Sequence, residues 1–211
     1  MKTFLNETQL AKLSHTIGEM EKSTSGEIRL MIVRRSSAIG HVDDLLWLIL
    51  LVLSFLTIWF FRHDMILFER WWMLPALFAG LFAVARLLAR TAFIQRVLTS
   101  GADLQQQVWA RAEVEFSREI KGRTRSSTGI LLYLSLMERR AVVLADAGIA
   151  SKLPPDTWDG VTSVILAGAK TGQWTEKLEE SIRLCGGYLA QHFPQEARDT
   201  NELSNAVIVK E

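Results

Sequence analysis

The 211-residue chain has a single cysteine, Cys185, so no disulfide framework can form within it. Cys185 lies in an apolar periodic run, the setting of a core thiol. A cysteine-phosphatase loop would need arginine six residues on, where the chain has Gln191. There is little excess of charge of either sign. The net value of +1 gives no electrostatic grip on nucleic acid, and no nucleic-acid partner is expected. The start, Met1 to Lys12, lacks the basic-then-apolar pattern of a cleaved signal peptide. No phosphate-binding glycine loop is written. Gly168-Ala169-Lys170-Thr171 has alanine where glycine must precede lysine. No Gly-x-Ser-x-Gly elbow occurs. His15, His41, His63 and His192 are scattered, none beside a second ligand at metal spacing. No internal repeat or low-complexity tract is visible.

What is present is an uneven distribution of apolar residues. Leu45 to Phe61 contains no charge over 17 residues, at the short end of a membrane-spanning helix. Arg62, His63 and Asp64 close it. A second apolar stretch runs to Ala89, with an uncharged part from Trp71 to Ala85; Arg86 can snorkel. Trp47, Trp59, Trp71 and Trp72 fall where an aromatic belt belongs. Ala76 and Gly80, and Ala79 and Ala83, have the four-residue spacing that lets helices approach closely in lipid. Burial in a soluble core is the other way to house two such helices, but a chain this short offers little mass to cover them. The expectation is therefore a two-helix transmembrane hairpin, residues 45–90, with the lipid bilayer as a partner. Arg34, Arg35, Arg86, Arg90 and Arg96 flank it, against Arg62 and Arg70 in the connection. That bias places both termini in the cytoplasm and the protein in the cell inner membrane.

The remainder reads as an α/β domain. Asn6-Glu7-Thr8-Gln9 carries a capping-box pattern, and Leu10, Leu13, Ile17 and Met20 mark one helical face. Glu27 to Arg35 is apolar on both faces, as a central strand of a covered sheet would be. Helices are expected over 102–121, from Asp156 through Ala169, and from Thr175 to before Pro194. Gly129–Ser135 and Arg140–Ala145 are strands joined by a short hairpin connection. The fold class expected is α/β: a small mixed sheet in an αβα arrangement, interrupted by the hairpin. The domain would be discontinuous, 1–36 and 101–194, followed by a flexible tail, 195–211.

One acidic group bears on chemistry. Asp146 ends the second hairpin strand, and Asp156 and Asp159 open the following helix. They could hold a hard cation, calcium or magnesium rather than zinc, since no cysteine or histidine is nearby. The plainer reading is that Asp156 and Asp159 cap a helix and Asp146 serves a turn.

Ser25-Gly26-Glu27-Ile28-Arg29-Leu30, the run Thr128 to Ser135, and the run Glu138 to Ile149 together resemble the TPM domain. Trp158 and His192-Phe193-Pro194 are similar to its bacterial branch. The resemblance spans about 4–34 and 102–194. It implies an αβα sandwich. The family includes thylakoid-lumen proteins linked to photosystem II repair and an accessory protein of a nematode acetylcholine receptor. Some members are reported as weak acid phosphatases, and some bind divalent cations. Here Asp146-Ala147-Gly148-Ile149-Ala150 departs from the family's glycine, glycine, leucine, glutamate pattern. The resemblance implies a membrane-anchored binding or accessory module supporting a membrane-protein assembly, or alternatively a weak, metal-assisted acid phosphatase acting through Asp146.

Overall fold

The computed structural model describes residues 4–36, 40–60, 73–89, 91, 101–195 and 201–210. Its contacts divide the chain into two units, Met1–Ser36 with Gln105–Glu211, and Ser37–Leu104.

The first unit is built on a four-stranded mixed sheet. Strand β1 (Glu27–Val33) pairs in parallel with β2 (Gly129–Ser135), and β2 pairs antiparallel with β3 (Arg140–Ala145). On the other edge of β1 lies β4 (Ile208–Lys210), also parallel, giving the order β3-β2-β1-β4. The strand period of two sorts the apolar residues. Ile28, Leu30, Ile32, Ile130, Leu132 and Leu134 face one core; Met31, Val33, Leu131, Tyr133 and Val142 face another. That two-sided burial is why β1 and β2 are continuous apolar runs.

Helix α1 (Glu7–Glu21) covers the first face with Leu13 and Ile17. Its start is set by the reciprocal capping box: Gln9 N–H donates to Asn6 Oδ1 at 2.8 Å, and Asn6 N–H to Gln9 Oε1 at 2.9 Å. Helices α2 (Gly40–Phe60) and α3 (Met73–Ala89) belong to the second unit. Helix α4 (Gly101–Glu119) covers the other face of the sheet with Val108 and Ala112. After β3 come α5 (Ala147–Ala150), α6 (Thr157–Thr171) and α7 (Trp174–His192). Trp158, Val161 and Ile165 of α6, with Leu178, Ile182, Cys185 and Leu189 of α7, complete the first core. Cys185 is wholly buried, and burial pushes its thiol out of the reactive range. Gly172 ends α6 in the left-handed conformation, φ 75°, where a Cβ would be strained. The last helix starts at Trp174, one residue before the expected start, and Thr175 is buried within it.

The inserted transmembrane hairpin is not what forms. Among the described residues no helix is long and apolar enough to cross a membrane. The reason is length. Helix α2 holds Asp43 and Asp44 inside its first turns, so its uncharged part, Leu45 to Phe60, rises about 24 Å. Among the described residues, helix α3 is uncharged from Met73 to Ala85, about 20 Å, before Arg86. A bilayer's hydrocarbon core is about 30 Å thick. The two-span inner-membrane location with cytoplasmic termini falls with it. The expected connection, with Arg62, Arg70, Trp71 and Trp72, lies outside the described residues, as do Arg90 and Arg96. Within this unit the helices meet through Leu46, Trp47, Leu50 and Ala85, with Trp47 edge-on to Phe82 at 6.1 Å. The small residues Ala76, Ala79, Gly80 and Ala83 stand exposed, away from that seam.

The tail also departs from expectation. Residues 201–210 pack back on the domain. Leu203 is buried in the α4-side core, and Lys210 Nζ reaches Glu115 Oε2 at 2.6 Å. Glu115 is fully buried on α4, where Arg111 also meets it at 3.3 Å.

Backbone approaches backbone closely where α5 begins. A Cβ on Gly148 would sit 2.5 Å from the Ser126 carbonyl oxygen and 2.7 Å from that of Ser127. Backbone cannot yield as a side chain does, so Gly148→Ala should destabilise the domain by about 2 kcal/mol. Urea unfolding checks this; an unchanged midpoint would contradict the packing described.

Candidate functional site

The predicted acidic group is dispersed. Asp146 is buried where β3 ends. Because β3 is antiparallel to β2, that end lies beside the beginning of β2, and Asp146 N–H donates to the Gly129 carbonyl at 2.9 Å. Asp146 Oδ1 accepts from Ala147 N–H at 2.7 Å, capping α5, while Oδ2 is buried without a hydrogen-bond partner. Asp156 and Asp159 are exposed at the start of α6, and Asp156 makes no capping hydrogen bond. Among the described residues, no group of three or more histidine, cysteine, aspartate or glutamate side chains is placed to hold a metal ion.

A different carboxylate pair is brought together at the amino end of β1. It borders a cavity of about 450 Å³ lined by His15, Glu19, Glu21, Glu27, Asn201 and Asn205, among others. Glu21 is the last residue of α1, and Glu27 the first of β1. Glu21 Oε1 accepts from Ile28 N–H at 2.9 Å. The buried Glu27 carboxylate accepts from two successive backbone N–H groups of the C-terminal segment, Glu202 at 3.0 Å and Leu203 at 3.2 Å. These are charge-assisted bonds to a carboxylate, the stronger kind.

Burial pushes the Glu21 carboxyl up to about 8, and Glu27 beside it adds to the rise. The Ile28 N–H, Asn205 and Arg29 offset part of that. Glu19, by contrast, is lowered by its 2.6 Å pairing with Lys22. The site therefore has one carboxyl that keeps its proton near neutral pH beside another whose oxygens hold backbone N–H groups. It can bind polar or cationic groups and exchange a proton. Sequence reasoning singled out neither glutamate as a site residue. The available signal was a glutamate opening a strand that is otherwise apolar on both faces. The partners, Asn201 to Asn205, lie about 175 residues away in sequence, beyond any local pattern.

Set against known proteins, the chain matches no family model and no curated protein. Its fold is shared. It is similar to the NMR structure of BA42, a protein from the psychrophilic bacterium Bizionia argentinensis, at TM-score 0.61 and 20% identity, over 99% of this chain and 97% of that one. At that identity the likeness shows the fold alone.

The raised Glu21 carboxyl makes stability depend on pH. Below about 4.5, folded and unfolded chains both hold the proton. Between 4.5 and 8 only the folded chain does, so stability declines as pH rises through that window. Glu21→Gln should therefore gain on the unaltered protein as pH rises, by roughly 3 kcal/mol between pH 5 and pH 8. Denaturant unfolding of both proteins at pH 5 and pH 8 checks it; a constant difference would contradict the protonated carboxyl.

Proposed function

We propose that this chain is a TPM-like binding or accessory module that works at a lipid surface, supporting a membrane-protein assembly. The observation that carries the reading is the outer face of the helical unit. Leu53, Phe55, Leu56 and Trp59 of α2, and Phe82, Val84 and Leu87 of α3, are exposed, Leu87 to 68% and Trp59 to 62%. Apolar surface on this scale marks a protein-interaction or lipid-interaction site. Helices of this length can lodge among headgroups and upper acyl chains without crossing the bilayer. Arg86, stacked over the Phe82 ring at 5.5 Å, supplies a cation that suits anionic headgroups. The sheet domain needs no catalytic group in this role; it offers the polar cavity and its surfaces to the assembly.

Flotation with phosphatidylglycerol-containing vesicles tests this. The full chain should rise with the vesicles, and the Phe55→Ser, Trp59→Ser, Leu87→Ser variant should stay below while keeping its circular dichroism. An unaltered protein that stays below as a monomer would overturn the reading.

A second reading, a weak metal-assisted phosphatase using calcium or magnesium, is favoured by one observation: the buried Asp146 Oδ2 has no hydrogen-bond partner. It expects calcium to shift backbone amide signals between Asp146 and Trp158, and the shifts to vanish in Asp146→Asn. Absence of localised shifts removes it.

A further inference from the structure

The segment 201–210 is fastened to the sheet domain at three places. At its start, Glu27 grips the N–H groups of Glu202 and Leu203. The Arg29 guanidinium donates to the Ser204 carbonyl, and Arg125 pairs with Glu202 through both its backbone N–H, at 2.8 Å, and its side chain, at 3.3 Å. In the middle, Asn205 forms a wall of the cavity against α1. The fit is close enough that a Cβ on Gly18 would come within 2.9 Å of Asn205 Nδ2. At the end, β4 lies in register on β1, Met31 opposite Ile208, and Lys210 meets the buried Glu115. The first and middle fastenings both close over the two carboxylates.

We propose that residues 201–205 form a proton-controlled strap, shut over the cavity while Glu21 carries its proton and loosened when Glu21 ionises. The physics lies in the pairing. Glu27 already holds its charge on the strap's N–H groups. A second charge on Glu21 places two carboxylates together in a site that the strap keeps from water. Lifting the strap hydrates both. Of the other groups facing Glu21, His15, Glu19 and Lys22 come from α1, and Arg29 from β1. Glu19 and Lys22 are spent on each other at 2.6 Å, with His15 at 3.8 Å from Glu19, and Arg29 is shared with Glu119 and the Ser204 carbonyl. From the strap itself come the amides of Asn201 and Asn205, joined to each other at 2.6 Å. No cation in this set is wholly committed to Glu21, so its ionisation is answered most readily by water.

By linkage, closure weakens by up to about tenfold per pH unit while only the closed form holds the proton. Amide hydrogen exchange on the full chain reads this. After correction for intrinsic rates, protection of the Glu202 and Leu203 N–H groups should fall by at least tenfold between pH 6 and pH 8. That of Leu132, in the middle of β2, which is exposed only by unfolding, should stay higher than theirs at every pH. In Glu21→Gln the strap amides should stay protected throughout. Flat protection in the unaltered protein overturns the proposal, as does an equal fall in Glu21→Gln or strap protection no lower than that of Leu132. Should Glu21→Gln fail to fold, the carboxyl-carbon titration of Glu21 decides: a midpoint near 8 supports the switch, and one near 4.5 ends it.

Discussion

Everything in the sheet domain depends on covering β1. Five of its seven residues are apolar, and they lie on both faces, so it needs a core above and below, and its backbone needs partners on both edges. One face is met by α1, α6 and α7 and the other by α4. One edge is met by β2 over the strand's whole length. The second edge is met by the C-terminal segment, which must return across the domain to supply β4. An uncovered edge would be a template for pairing with other chains. The charged residue that opens β1 makes that return possible. Glu27 starts the strand and receives the returning segment's N–H groups. The same geometry that closes the sheet therefore also creates the cavity and places Glu21 beside it.

How far this could be foreseen follows from the range of each interaction. The capping box of α1, the apolar runs of β1 and β2, the short β2–β3 connection and the glycine that ends α6 are all set by neighbours in sequence, and each was legible. The C-terminal strand was not. Val207-Ile208-Val209 is a brief apolar run behind a polar stretch, and its pairing partner lies some 175 residues earlier. The acidic residues, too, were grouped on local pattern alone. Asp146 does sit at a strand end, but its first oxygen is occupied by the α5 amide, and Asp156 and Asp159 are turned to solvent. The pair that does converge, Glu21 and Glu27, is joined by a six-residue step across a turn, which no helix or strand period brings out.

The helical unit shows the difference between composition and length. Its residues have the apolar character of a membrane span, yet, among the described residues, the uncharged rise that follows Asp44 in α2 and precedes Arg86 in α3 is below a bilayer's thickness. The small residues spaced for close approach in lipid stand outside the helix–helix seam, which is made by Leu46, Trp47, Leu50 and Ala85. The exposed aromatic and aliphatic side chains are the surface on which the proposed lipid docking rests. Sheet domain and helical unit each bring a separate property: a closed, proton-bearing polar site, and an apolar face.

The dependence of β1 on the returning chain is the central claim, and nuclear Overhauser contacts across that edge measure it most directly. In the full chain, the backbone protons of Met31, Ile32 and Val33 should show cross-strand contacts to Ile208, Val209 and Lys210 in parallel register. Random-coil shifts for 201–210 with no such contacts would contradict it.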